Sequence, residues 1–399
     1  MSCRNPISTF LWLSILIIPY TGWSNETYVD SVKSIISLAH HDSTKIKALI
    51  TLGDLFKGSN PDSARFFYEK ALRVSEKDDI QFLKFTTLAE VKIAQTFVYQ
   101  GNYENARRHN QKAEKLLLQN FQPDISAMVA NISGLINYNR GEYDKALEDY
   151  RKAFDLAEES GDKSLEAKIY TNMSIIHYIK GNYDNAIELF KKPVEIGREL
   201  NDMELLSGSL INLGNVYLNL GMSDSANSCY NQSATVYAEM NSLDGLLLCH
   251  QNMGSIFYSK GEYDQALDAY KEALGYASRL DNKPEMAHSL HNIAEVYMRM
   301  GDYENSLGYY LKAIKQKEKI SDKMGMATSY QGIGSLHFLL KNNNQALLYY
   351  QKALKLFTEL DYPTGTVGVL CNMSNIYTAM NKLDTALNHY REALAVYEQ

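Results

Sequence analysis

Apolar residues recur along this chain at intervals of three and four. In residues 244–279, "DGLLLCHQNMGSIFYSKGEYDQALDAYKEALGYASR", the residues Leu246, Leu247, His250, Met253, Gly254, Phe257 and Tyr258 share one stripe. That spacing is helical. The polar phrase "KGEY" interrupts it, and Asp264 opens a second stripe of Ala266, Leu267, Tyr270, Ala273 and Leu274. An acidic start suits the exposed N–H groups of a first turn. The pattern predicts two antiparallel helices of about 17 and 15 residues, roughly 25 and 22 Å long at the α-helical rise.

The same pattern returns every 40 residues. Gly101, Gly141, Gly181, Gly221, Gly261 and Gly301 mark the interval, and Lys341 and Asn381 stand where the next two glycines would fall. Small residues hold one site of each first helix: Gly53, Ala94, Gly134, Ser174, Gly214, Gly254, Ala294, Gly334 and Ser374. Another small series, from Ala64 and Ala106 to Ser306 and Ala386, runs through the second helices. Small side chains let helix axes approach to the near end of the ~8–10 Å range. The series Tyr68, Tyr150, Phe190, Tyr230, Tyr270, Tyr310, Tyr350 and Tyr390 then reads as a packing stripe. A fixed period of this length predicts an all-α fold, a right-handed α-solenoid of about nine helix-turn-helix units.

The phrase G-x-Y-x-x-A-x-x-x-[YF]-x-x-A, preceded by L/M-G-x-x-Y/F, resembles the tetratricopeptide repeat. It spans about 350 residues, the first copy ("ALITLGDLFKGSNPDSARFFYEKAL") being irregular. The copies are 40 long rather than 34 and lack the usual closing proline. This long form is similar to the repeats of kinesin light chains and of quorum-peptide receptors. The extra residues lie near Asp162, Asp202 and Asn282, which read as helix caps. Pro193 takes an alanine site in "AIELFKKPVEI" and Ser233 weakens the same site one repeat later. A bend or a wider helix spacing is expected there.

Along the first helices one off-stripe site reads Thr51, Lys92, Ile132, Asn172, Asn212, Asn252, Asn292, Gly332 and Asn372. In stacked pairs the first helices line the concave side. A carboxamide offers two donors and an acceptor, which match both faces of a peptide group. The resemblance implies that such asparagines grip a bound peptide; stitching neighbouring helices together is the other role open to them. Nearby groove candidates vary between copies: Lys168, Thr171 and Ile175; Ile211, Asn215 and Asn219; Gln251, Ser255 and Tyr258; His288, His291, Glu295 and Arg299. The peptide-binding set is therefore Lys168, Asn172, Asn212, Asn215, Gln251, Asn252, His288, His291, Asn292, Glu295 and Asn372.

Composition narrows the classes. The formal net charge is −7, with 45% hydrophobic residues. An acidic solenoid lacks the basic footprint that nucleic acid demands. Residues 1–24 carry Arg4, the apolar run "ISTFLWLSILII", Pro19, and small residues around Trp23. They read as a secretory signal peptide cleaved after Ser24; cleavage would take the net charge to −8. The alternative is an uncleaved membrane anchor, though the run is short for a span, which needs ~20 apolar residues. Residues 25–46 read as a lead-in helix and 47–399 as the solenoid. Cys229, Cys249 and Cys371 are an odd set without metal-ligand spacing, and the first two read as small buried residues.

His288, His291 and Glu295 share a helical face and could form a zinc set. The zincin order is absent, however, and Arg299 one turn on is placed to neutralise Glu295. His177 and His337 stand in for packing aromatics. No G-x-S-x-G, phosphate-binding glycine loop or kinase signature occurs. The expectation is no metal, no cofactor and no enzyme. The leading reading is an exported, periplasmic module for a protein or peptide ligand, similar to the sensor region of bacterial (Bacteroidetes-type) regulators. A sensor fragment without its kinase or DNA-binding output is the alternative, and a metal-dependent enzyme or phosphatase a weaker one. Leu394, Val396 and Tyr397 in the last helix are expected to be partly exposed, which would allow self-association through that end.

Overall fold

The computed structural model describes residues 26–39, 41–76 and 80–398. The expected leader and its cleavage point lie outside the described residues. A first helix, α1 (Glu26–Leu38), precedes α2 (Asp42–Phe56), α3 (Pro61–Ser75), α4 (Ile80–Tyr99), α5 (Tyr103–Leu117), α6 (Pro123–Asn139) and α7 (Tyr143–Ser160). Then come α8 (Lys163–Ile179), α9 (Tyr183–Glu199), α10 (Met203–Asn219), α11 (Ser223–Glu239), α12 (Leu243–Lys260) and α13 (Tyr263–Arg279). The chain continues through α14 (Lys283–Met300), α15 (Tyr303–Lys319), α16 (Lys323–Leu339), α17 (Asn343–Glu359), α18 (Pro363–Ala379) and α19 (Leu383–Tyr397). No strand occurs among the described residues. The fold is the all-α solenoid of hairpins that the period predicts. Its contacts gather into two compact units, one ending at Val216 and the other beginning at Tyr217. The first hairpin starts at Asp42, inside the stretch expected as lead-in, and α1 lays Val29 and Val32 on Ala48 and Leu52.

Left-handed residues make both turns of the repeat. The six period glycines have φ between 70 and 80°, and Lys341 (58°) and Asn381 (57°) adopt the same conformation where glycine is missing. The backbone then closes the helix: Gly141 N donates to Tyr138 O and Glu142 N to Asn137 O, both at 2.9 Å. This is the bonding of a left-handed helix stop. Gly161, Asn201, Asn241, Asp281, Ser321 and Asp361 do the same at the other turn. The caps stand where expected. Asp162 Oδ1 accepts from Leu165 N, Asp202 Oδ1 from Leu205 N and Asn282 Oδ1 from Glu285 N, at 2.9–3.3 Å. Second helices such as α9, α13 and α15 are 17 residues long, rather than the 15 expected, because they start at the tyrosine of "G-x-Y".

The small sites of the first helices have a more specific use than drawing axes together. A Cβ at Gly254 would stand 2.7 Å from the ring of Tyr270, and one at Gly334 would stand 2.7 Å from Tyr350. The ring of the second helix thus occupies the space of the missing side chain. Farther along each hairpin a second pair of side chains meets: Phe97 stacks on His109, Tyr297 on Tyr309, His337 on Tyr349 and Tyr377 on His389. His337 is therefore a packing residue, as expected. Cys229 and Cys249 are buried thiols.

At Pro193 the expected widening is absent. Helix α9 runs unbroken from Tyr183 to Glu199 with Pro193 buried inside it. Four residues on, Gly197 brings its backbone so near α10 that a Cβ would lie 2.8 Å from Leu206 N. The glycine lets the helices close up beyond the proline.

Gly254→Ala is expected to cost about 1–3 kcal/mol by overpacking against Tyr270. Gly275→Ala, in the same hairpin with nothing within 4 Å of the new Cβ, should be neutral or gain up to ~1 kcal/mol of helix propensity. Thermal melts of the two variants by circular dichroism compare them; equal destabilisation would refute the ring-for-side-chain account.

Candidate peptide-binding face

Within each unit the first helices touch one another from hairpin to hairpin. In the first unit α2 meets α4, α4 meets α6 and α6 meets α8; in the second α14 meets α16 and α16 meets α18. Second helices make no comparable contact among the described residues. The first-helix side is therefore the inner side of each stack, and the off-stripe site predicted from sequence lies on it.

The ladder divides by bonding. Asn172 Nδ2 donates to Asn131 Oδ1 of α6 at 3.0 Å, which is the stitching role. Gln251 Nε2 donates to Glu285 Oε2 of α14 at 2.6 Å. His291 Nδ1 meets Ser329 Oγ of α16 at 3.1 Å, and its ring stands edge-on to Tyr310, 5.4 Å between centroids. Asn292 Nδ2 stays within its helix, 3.3 Å from His288 Nε2, while His288 itself is exposed. The carboxamides of Asn212, Asn252 and Asn372 are half-buried and have no protein partner among the described residues. Asn215, one turn after Asn212, has a partner. Of the nearby groove candidates, Ile175 and Ile211 are buried and belong to the core. The gap in the ladder at Gly332 is steric, since a Cβ there would lie 2.5 Å from the phenol of Tyr310.

The packing tyrosines also serve this face, which periodicity alone does not reveal. Their rings pass beside the small residue, and their hydroxyls emerge at the position three residues after the ladder. Tyr68 OH donates to Asp54 Oδ1 at 2.8 Å and Tyr390 OH to Asn375 Oδ1 at 2.7 Å. Tyr350 and Ser335 hydroxyls lie 2.9 Å apart, and Tyr310 OH donates to Glu295 Oε1. A polar residue repeating three after the ladder, opposite a tyrosine in the second helix, is the sequence signal for this arrangement.

Charge is distributed unevenly. In the first unit Lys92 Nζ pairs with Asp54 Oδ1 at 2.7 Å. Lys168 reaches water, yet its ammonium is held below the ordinary lysine range, first by loss of solvent around it and next by Lys92. Lys57 is lowered for the same two reasons. A side chain that touches water while protein walls displace the bulk solvent behaves this way, as a concave face requires. In the second unit burial raises the Glu295 carboxyl, with Tyr310 and Arg299 opposing. Arg299 counters it at a distance, as the spacing suggests, but its Nε bonds Tyr258 OH at 3.0 Å rather than the carboxylate. Burial pushes His291 down to about 3. Among the described residues no three His, Cys, Asp or Glu side chains are grouped to hold a metal.

A family model of the tetratricopeptide repeat matches residues 125–199, 205–279 and 285–359, and a second model of that repeat matches 366–399. No curated protein sequence matches the chain. Among solved structures, the apo form of RapI is similar over 90% of this chain and 97% of its own, with a TM-score of 0.70 and 14% identity. The apo quorum sensor NprR from B. thuringiensis is similar over 93% and 99%, with a TM-score of 0.58 and 15% identity. A signal-transduction ATPase with a tetratricopeptide repeat sensor from Pyrococcus horikoshii is similar over 83% of this chain and 52% of its own, at 0.60 and 15%. At these identities the likeness is one of fold.

Beside His291 lies a lysine whose cost can be measured. Lys317 is 5% exposed, donates to Ser329 Oγ at 2.9 Å and Gly325 O at 3.0 Å, and makes no ion pair among the described residues. Burial pushes its pKa from the ordinary 10.5 down to about 8. The unfolded chain then holds this proton more tightly than the native one, so the lysine's penalty is full below pH 8 and fades as pH rises towards 10.5. Lys317→Met should be the more stable protein at pH 7, by on the order of 1–3 kcal/mol, and the gap should shrink by pH 9.5. Urea unfolding at both pH values checks it.

Proposed function

We propose that this chain, which belongs to the tetratricopeptide repeat family, holds an extended peptide or protein segment against its first helices and serves protein–protein interaction or sensing rather than catalysis. The observation that carries this reading is the pair of half-buried carboxamides without a protein partner at Asn252 and Asn372 of the second unit; Asn212 repeats it in the first unit. An amide with no protein partner on a half-exposed wall exchanges water for a ligand without breaking a protein bond, for a net of about 1 kcal/mol per hydrogen bond made. A peptide backbone supplies the acceptor and donors it lacks, irrespective of side chain. That NprR is a quorum sensor and that the Pyrococcus protein carries a tetratricopeptide repeat sensor support a sensing part. The apolar leader in residues 1–24 supports export, with the periplasm as the destination.

Immobilised 12-residue peptides offer a direct test. Replacing Asn252 and Asn372 of the second unit together by Ala should weaken capture at least tenfold while the helical circular dichroism stays constant. Asn172→Ala, which removes a stitching bond, should lower the melting temperature instead. Undiminished capture by the double variant would sink the ladder as the grip.

A further inference from the structure

The inner face of the second unit carries a carboxylate that makes no direct ion pair among the described residues; Arg299 acts on it only through space. Glu295 lies three residues after the ladder amide Asn292 of α14. It accepts the phenol of Tyr310 from α15 and is also bonded by Tyr258 of α12. The nearest cation, Arg299, attracts Glu295 without bonding it: its guanidinium donates to the Tyr258 hydroxyl and stands 5.9 Å above that ring. Glu295 makes no ion pair among the described residues. The other basic group one turn away, His291, is neutral at physiological pH because burial suppresses its protonation. His288 points to Glu285, 3.7 Å away, and Lys317 is occupied by Ser329 and Gly325.

An unpaired carboxylate in a partly desolvated wall is costly, and burial accordingly raises the Glu295 pKa. A cation brought by a ligand supplies the missing charge-assisted partner. The face of Tyr258 adds cation–π attraction, as its contact with Arg299 already illustrates. Resting on the peptide-holding reading above, we infer that Glu295 and Tyr258 form a subsite for one cationic group of the bound segment: a lysine ammonium, an arginine guanidinium or a chain N-terminus. Arg299 stands at the rim as an internal competitor for the same phenol. Glu295 sets which segment is held, whereas the unbonded amides hold any backbone.

The probes are capped hexapeptides of Gly and Ser differing only at the third residue, which is Lys, Arg, norleucine or Glu, plus the norleucine peptide with a free N-terminus. Binding to the full chain is read by fluorescence anisotropy. The expected result is at least tenfold tighter binding of the Lys or Arg peptide, or of the free N-terminus, over capped norleucine. Glu295→Gln should erase that preference, and Arg299→Ala should widen it. Asn252→Ala should weaken every peptide alike. Because Glu295→Gln also changes two phenol bonds, Arg299→Ala is the independent arm; a preference unmoved by it and by Glu295→Gln overturns the subsite. Equal binding of charged and neutral peptides overturns the subsite while leaving the groove intact. No binding by any of them overturns the groove reading and the subsite with it.

Discussion

The structure depends on one steric exchange, repeated through the hairpins: a second-helix ring fills the space of a side chain that the first helix does not have. Gly254 receives Tyr270 and Gly334 receives Tyr350 at distances that a Cβ could not tolerate. Interiors packed to crystal-like density leave no slack for one more methyl. The 40-residue period is the period of this lock. The ring is also long enough for its hydroxyl to pass the first helix and emerge on the inner side, at Asp54, Glu295, Ser335 and Asn375. Packing and presentation are therefore performed by one residue, and a groove side chain is held as firmly as the hairpin behind it.

Joins between hairpins obey a related rule of size. Where a second helix ends in a bulky residue, the next first helix begins with glycine: Tyr237 faces Gly245, Lys317 faces Gly325 and Phe357 faces Gly365. Where it ends in Ala157, the facing residue is Leu165, and both lie in one core cluster. Volume is conserved while its owner changes sides. Such joins let each hairpin bury a face it could not bury alone, as stacked repeats require. They also explain how a lysine entered the core: Lys317 stands where other copies place Ala277 or Phe357. The glycine opposite gives its stem room, at the cost of a cation bonded to neutral oxygens, with the Asp322 carboxylate acting on it only at longer range.

The architecture was legible in sequence because it is written in backbone terms. The left-handed turns at Gly141 and its equivalents, the caps at Asp162, Asp202 and Asn282, and the alternation of small and aromatic sites all follow from local sterics. The face on which the ladder lies followed as well. What each ladder residue bonds to did not. Asn172 and Asn252 have the same register, yet one is tied to Asn131 and the other has no protein partner. The difference is the side chain about 40 residues away on the neighbouring first helix, and periodicity fixes faces rather than rotamers. Arg299 was read one turn from Glu295 and assigned to it by spacing. The tyrosine of the preceding first helix intercepts it. Ile175 and Ile211 were read onto the groove by register and lie in the core, since a helix face drifts by a few tens of degrees over several turns.

These bonding differences separate what holds the stack from what remains available to a ligand. A stitched group such as Asn172 or Gln251 would have to surrender an existing bond to bind anything, so the exchange nets little. The amides of Asn212, Asn252 and Asn372 surrender no protein bond and exchange only water for a ligand. Neutral amides bonded to backbone give grip without discrimination, at roughly 1 kcal/mol each. Discrimination must then come from charge: in a concave, partly dewatered wall an ionic contact is stronger than the same contact on an open surface, and a mismatch is correspondingly more costly. The lowered lysines of the first unit and the raised carboxyl of the second are signs of that dewatering. A ligand would be gripped by its backbone and chosen by its charges.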